Sequence, residues 1–141
     1  MILADVNIHL QAFRRDAANH AICSHYVTSL LEGRSAFSVS TLVLSAVVRI
    51  ATNPRVYAQP SQPEAVLEHC KIILESENCV QVQPGPRHWA LFADLVVASG
   101  VRGALVPDAY FAALAIEHGC EWVTLDKDFG KFPGLKWRLV K

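Results

Sequence analysis

Residues 105–129, LVPDAYFAALAIEHGCEWVTLDKDF, decide the fold. Pro107 and Asp108 stand where a helix begins, and Ala109 to Ile116 supply a compact apolar helical run. Gly119 is a helix stop, after which Glu121 to Thr124 read as a short strand. Asp126 and Asp128 follow at once, on either side of Lys127. One carboxylate therefore sits at a helix start and two more at a strand end. In an α/β fold those places share one edge of the sheet. By itself Asp108 serves equally well as a helix cap, because the first N–H groups and the macrodipole favour a carboxylate there.

The other end of the chain answers this stretch. Met1 to Val6, MILADV, reads as a continuous apolar strand of the kind buried in a parallel sheet, with Asp5 near its end and Asn7 just beyond. A carboxylate there is expensive to bury unless it is paired, hydrogen-bonded or bound to a cation. Between the two ends the pattern alternates. A helix is expected over Asp16 to Gly33 with Asp16 as cap, a strand over Ala36 to Ser40, and a helix over Thr41 to Ala51 capped by Ser40. Ser61 and Glu64 have the spacing of a capping box, with Pro63 in the first turn of a helix running to about Ser76. Cys79 to Gln83 alternates like a more exposed strand. His88 to Ser99 reads as a helix with Trp89, Phe92, Val96 and Val97 on its core face, and LKWRLV near the end as a last strand. Helices separating most strands predict a three-layer α/β/α architecture around a mostly parallel sheet, in one domain over residues 1–141.

Composition narrows the function. With 52% hydrophobic and 18% charged residues, the chain should carry a helix-covered sheet or a partner-covered surface. A formal net charge of +0 argues against a general basic coat for nucleic acid but leaves room for local patches. Cys23, Cys70, Cys79 and Cys120 form no CxxC pair and sit in apolar surroundings, so reduced core residues are expected rather than a zinc site. Asp5, Asn7 and His9 interrupt any signal-peptide pattern, and no apolar run approaches the roughly 20 residues of a membrane span. A cytoplasmic protein is expected.

Asp5, Asp108, Asp126 and Asp128 thus converge on one sheet edge. Carboxylates held together repel, and a hard divalent cation such as Mg²⁺ or Mn²⁺ relieves that. Such a site activates water and stabilises charge on a phosphoryl group. No Walker loop, GxSxG or HExxH is present to support rival chemistry. A haloacid-dehalogenase-like phosphatase also begins from a strand-end Asp, but it needs a second Asp two residues on, where Asn7 stands.

The segments ILADVN, RIATNPRVY and VPDAYFAALAIEHGCEWVTLDKDFGKFPGLKW together resemble a PIN-domain ribonuclease, specifically a VapC-type toxin, over essentially the whole chain. The resemblance implies Mg²⁺- or Mn²⁺-dependent endonucleolytic cleavage of RNA, leaving a 5′-phosphate and a 3′-hydroxyl. It implies a cognate antitoxin and a homodimer as partners. It casts Asp5, Asp108 and Asp126 as metal-binding acids, Asp128 as an accompanying acid, and Asn7 and Thr124 as supporting polar neighbours. Arg14, Arg15, Arg49, Arg55, Lys127 and Lys131 are candidate phosphate contacts, against ordinary solvation as the competing reading. One departure stands out. Where the family commonly carries a glutamate on the helix after the second strand, near Leu44, TLVLSAVVR has no carboxylate. A PIN-type module that binds RNA or a partner without cutting is the alternative this opens.

Overall fold

The computed structural model describes all residues, Met1–Lys141. Five strands form one sheet in the order β3-β2-β1-β4-β5, every neighbouring pair parallel. They are β1 (Ile2–Ala4), β2 (Phe37–Val39), β3 (Cys79–Gln81), β4 (Glu121–Thr124) and β5 (Trp137–Leu139). Six helices connect them: α1 (Val6–Phe13), α2 (His20–Glu32), α3 (Thr41–Ala51), α4 (Pro63–Leu74), α5 (His88–Ser99) and α6 (Val106–Glu117). Helices α1, α2 and α3 pack together, α4 lies on α3, and α5 pairs with α6. The architecture is the expected α/β/α arrangement. Its chain order reverses between β1 and β4, which makes the carboxyl end of that strand pair the natural crevice.

Burial follows from position in the sheet. Phe37, Val39, Leu3, Ala4, Trp122 and Val123 on the inner strands are buried, whereas β3 and β5 are edges and remain partly exposed. Trp122 anchors the core, fully buried, its ring 5.9 Å from Phe111 and 5.3 Å from Phe129. Helix α6 reaches it closely because Ala109, Ala112, Ala113 and Ala115 present little side chain, and all four are fully buried. Gly119 ends α6 in the left-handed region at φ 64, while the Cys120 N–H returns to the Ala115 carbonyl at 2.9 Å.

Several local expectations are corrected. The apolar run Met1 to Val6 is not one strand: it stops at Ala4, and Val6 opens α1, a helix the sequence pattern concealed. Asp16 does not cap α2, which starts at His20 after Asn19. Ser61 does not cap α4, whose N-cap is Gln62 with no side-chain bond. Ser40 does cap α3, accepting from the Leu42 N–H at 3.2 Å. Trp89 and Val97 do not face the core; they are 70% and 84% exposed. Helix α5 is apolar nearly all round, so periodicity could not orient it. The cysteines are free, with Cys23, Cys70 and Cys120 buried and Cys79 half-buried. No helix is long and apolar enough to cross a membrane.

Arg14 explains two of these corrections. Its guanidinium is bidentate to Asp16 (3.0 and 2.7 Å), donates to the Gln59 carbonyl (2.8 Å) and Ser61 Oγ (3.1 Å), and lies 3.8 Å over the Tyr57 ring. The residue is buried and ties the end of α1 to the connector before α4. Its charge is spent inside the protein, so the reading of Arg14 as a phosphate contact gives way to a structural one. Replacing Arg14 with Ala should lower unfolding stability by about 2 kcal/mol, since its charged hydrogen bonds and its packing on Tyr57 are lost together. The same change at exposed Arg15 should stay within about 0.5 kcal/mol in urea titrations.

Candidate active site

The register of β1 on β4 builds the site. Leu3 pairs with Trp122 and Ala4 with Val123, and the Asp5 N–H donates to the Val123 carbonyl at 2.8 Å. Asp5 therefore meets Thr124 side by side where the two strands end. The Thr124 hydroxyl donates to Asp5 Oδ2 at 2.6 Å and accepts the Asp126 N–H at 3.0 Å. The other oxygen of Asp5 accepts the Val6 N–H at 2.6 Å, capping α1. From α1, Asn7 Oδ1 receives the Leu125 N–H at 3.4 Å. Asp126 Oδ1 in turn accepts the Asp128 N–H at 2.9 Å, starting a 3₁₀ turn over Lys127–Lys131.

Asp5, Asn7, Arg49, Asp108 and Asp126 line one cavity of about 270 Å³ at this edge. Asp108 lies in the first turn of α6 but is not its cap, and its carboxylate has no hydrogen-bond partner within the chain. Its function as a cap, which the sequence left open, is thereby removed. Asp128 is exposed and stands outside the cavity wall, close enough to Asp108 to act on its charge. Lys131 likewise faces Asp108 electrostatically without forming an ion pair. Arg15, Arg55 and Lys127 are exposed and do not line the cavity. His9 is fully buried and points neither ring nitrogen at a partner, so it belongs to the core beside His69 and not to the site. Sequence reading missed the apolar walls, Val6, Leu10, Ile50 and Phe111 among them. The i, i+3, i+4 spacing of Ala46, Arg49 and Ile50 was the available signal for the α3 wall.

Electrostatics mark this cavity. Burial pushes the Asp5 carboxyl up to about 6, against its hydrogen bonds from Thr124 and Val6, and the negative charges of Asp108 and Asp126 push the same way. Burial also raises Asp108; Lys131 opposes this, while Asp126 and Asp128 add to it. No cation forms a salt bridge with Asp5, Asp108 or Asp126. Three carboxylates with no ion-pair partner, and with Arg49 as the one cation on the cavity wall, fit a hard divalent cation. No three acidic, histidine or cysteine side chains converge on a single point. An ion would accordingly be held by one or two carboxylates, with water completing its shell, which is how Mg²⁺ is usually bound.

The PIN domain family matches residues 2–135 of the chain. The chain belongs to the PIN-domain family. It is similar to ribonuclease VapC25 of Mycobacterium tuberculosis, 34% identical over 136 residues and 96% of each chain. Among solved structures, the fold is shared with a chain of VapBC2 from Rickettsia felis bound to a promoter DNA fragment, at TM-score 0.71 and 16% identity over 100% of both chains. It is also shared with the sarcin-ricin loop cleaving toxin VapC20 of Mycobacterium tuberculosis, at TM-score 0.65 and 16% identity over 96% of this chain and 98% of that one. Helix α3 brings no carboxylate to this cavity. Leu44 is 4% exposed and packs in the core, and the only charge α3 brings to the cavity is the cation of Arg49.

The raised Asp5 value has a thermodynamic consequence. An unfolded Asp titrates near its ordinary value of 3.8, so between there and about 6 the folded chain holds the extra proton. That stabilisation is complete at acid pH and is lost as pH rises through about 6. In ion-free buffer, stability in urea should fall between about pH 4 and pH 7 by an amount on the order of 2 kcal/mol. Asp5→Asn should flatten that dependence; an unchanged slope in the variant would assign it to other groups.

Proposed function

We propose that this PIN domain is a divalent-metal-dependent endoribonuclease, acting in the cytoplasm as the toxin of a toxin–antitoxin pair. The observation that carries the reading is the trio Asp5, Asp108 and Asp126 on one cavity, none of them in an ion pair and two of them joined through Thr124. The family relationship supports it, since relatives over nearly the whole chain are ribonucleases. A bound Mg²⁺ or Mn²⁺ ion would supply an acidified water and charge stabilisation at phosphorus.

The chain's own residues do the rest. Thr124 fixes the orientation of Asp5 by hydrogen-bonding one oxygen, and the α1 N–H of Val6 fixes the other. The loop carrying Asp126 is held by the same hydroxyl, so both acids keep one geometry during turnover. Arg49, unpaired at the cavity wall, meets the non-bridging oxygens of the scissile phosphate. Water oxygen bonds to phosphorus as the bond to the 3′-oxygen breaks, giving a 5′-phosphate and a 3′-hydroxyl. With Leu44 in place of an acid, the site carries fewer metal-binding carboxylates, and Asp108 has more of the binding to do.

Purified protein should cleave RNA with Mn²⁺ or Mg²⁺ and lose that activity in chelator. Asp5→Asn and Asp108→Asn should each lower kcat/KM at least about 100-fold, the scale of losing one group that stabilises transition-state charge. Asp128→Asn should cost less than about 10-fold, because it stands outside the cavity. Cleavage that survives both cavity variants would overturn the assignment. The second reading, a binding module, is favoured by Leu44; calorimetry showing no Mn²⁺ site would support it.

We assign self-association to the outer face of α5, where Trp89 and Val97 leave an apolar helix surface open. Trp89→Glu with Val97→Glu should shift the sedimenting species from dimer to monomer. Wild-type protein that sediments only as a monomer would remove the assignment.

A further inference from the structure

Beside the carboxylate cavity is a second hollow, of about 320 Å³, lined by Leu42, Phe92, Val106, Pro107, Tyr110 and Phe111. Pro107 and Phe111 line both hollows. No charged side chain faces this one, so it offers nothing to a phosphate. What it offers is aromatic surface held in place. Tyr110 meets the His88 ring edge-on at 4.2 Å between centroids and Phe92 at 5.2 Å. His88 is buried and its Nε2 is bonded to the Tyr110 carbonyl at 2.9 Å, which locks the group from behind.

The placement on α6 links this hollow to the chemistry. Asp108 lies one residue beyond Pro107 and two before Tyr110, so one helix turn presents a carboxylate to one hollow and an aromatic ring to the other. A phosphate drawn to Arg49 in the first hollow is separated from the second only by the shared walls Pro107 and Phe111, within reach of the next residue of a polymer. Single-stranded RNA is bound by proteins in this manner, with bases splayed from the backbone and laid against aromatic side chains.

Resting on the ribonuclease reading above, we infer that the hollow at Tyr110 and Phe92 is a nucleobase subsite, which stacks the base next to the scissile phosphate. The apolar lining means that the base is gripped by its face and not read along its pairing edge. The subsite therefore fixes where along a strand the phosphate seats and favours the larger stacking surface of a purine, without imposing a pairing code. A protein partner is the competing occupant. The shared walls with the catalytic cavity favour the base, since anything seated in the cavity is already joined to what fills the hollow.

The test uses the full chain and a single-stranded oligoribonucleotide carrying 2-aminopurine at successive positions. Binding is followed without divalent ion, and the cleaved bond is located in parallel with Mn²⁺ by sequencing the product ends. Fluorescence should change at one nucleotide flanking the cleaved bond. In Tyr110→Leu that change should vanish and KM should rise roughly 5- to 150-fold with kcat nearly kept, the range for losing one stacked base. Tyr110→Phe should restore both. If Tyr110→Leu melts early, Leu42→Trp fills the same hollow from α3 without disturbing the aromatic group and should give the same two losses. Retained fluorescence change and KM in these variants, while the wild type cleaves, would overturn the subsite alone. Variants that keep RNA binding but lose a purified antitoxin would give the hollow to the protein partner instead. A wild type that cleaves no RNA would remove both the ribonuclease reading and the subsite.

Discussion

A carboxylate at the end of the central strand is the constraint on which the structure turns. Asp5 is buried, where its charge is disfavoured, and each of its carboxylate oxygens is held by a hydrogen bond. The Val6 N–H starts a helix on one oxygen, and the Thr124 hydroxyl takes the other. The parallel register of β1 and β4 exists at the same point, because only that register sets Thr124 beside Asp5. The start of α1 and the position of Asp126 are both tied to this one group.

Helix α3 modifies that arrangement. With Leu44 committed to the core and Arg49 turned to the cavity, the wall that faces the acids brings positive charge and no carboxylate. The cation of Arg49 thus offsets part of the negative charge on that cavity. On the metal-dependent reading proposed above, a site so balanced would hold its metal more loosely than one with four acids and grip an anionic substrate more firmly.

Much of this was legible in the sequence, and the failures have physical causes. The span Glu121 to Thr124 and the helix before it could be read because stop, start and apolar run agree locally. The acids of the cavity were legible because strand ends and helix starts in an α/β sheet share an edge. Helix α1 was hidden because a strand and a helix are joined through a single residue, Asp5, with no intervening turn signal. Arg14 was misread because two of its partners, Gln59 and Ser61, lie far along the chain, and Asp16 because it is drawn to Arg14 rather than to the start of α2. Trp89 was misplaced because α5 has apolar residues on every side, and only its packing on α6 chooses which of them are covered.

The strands are three or four residues long. Ala4 and Val123, at the heart of the packed interior, are covalently next to Asp5 and Thr124, so no inert layer separates the interior from the reacting edge. Selection for foldability and selection for chemistry therefore act on adjoining positions of the same strands. A lineage of this protein would find few routes to drift in one without being tested in the other, and silencing it by mutation would as readily pass through misfolding and proteolytic clearance as through loss of an acid.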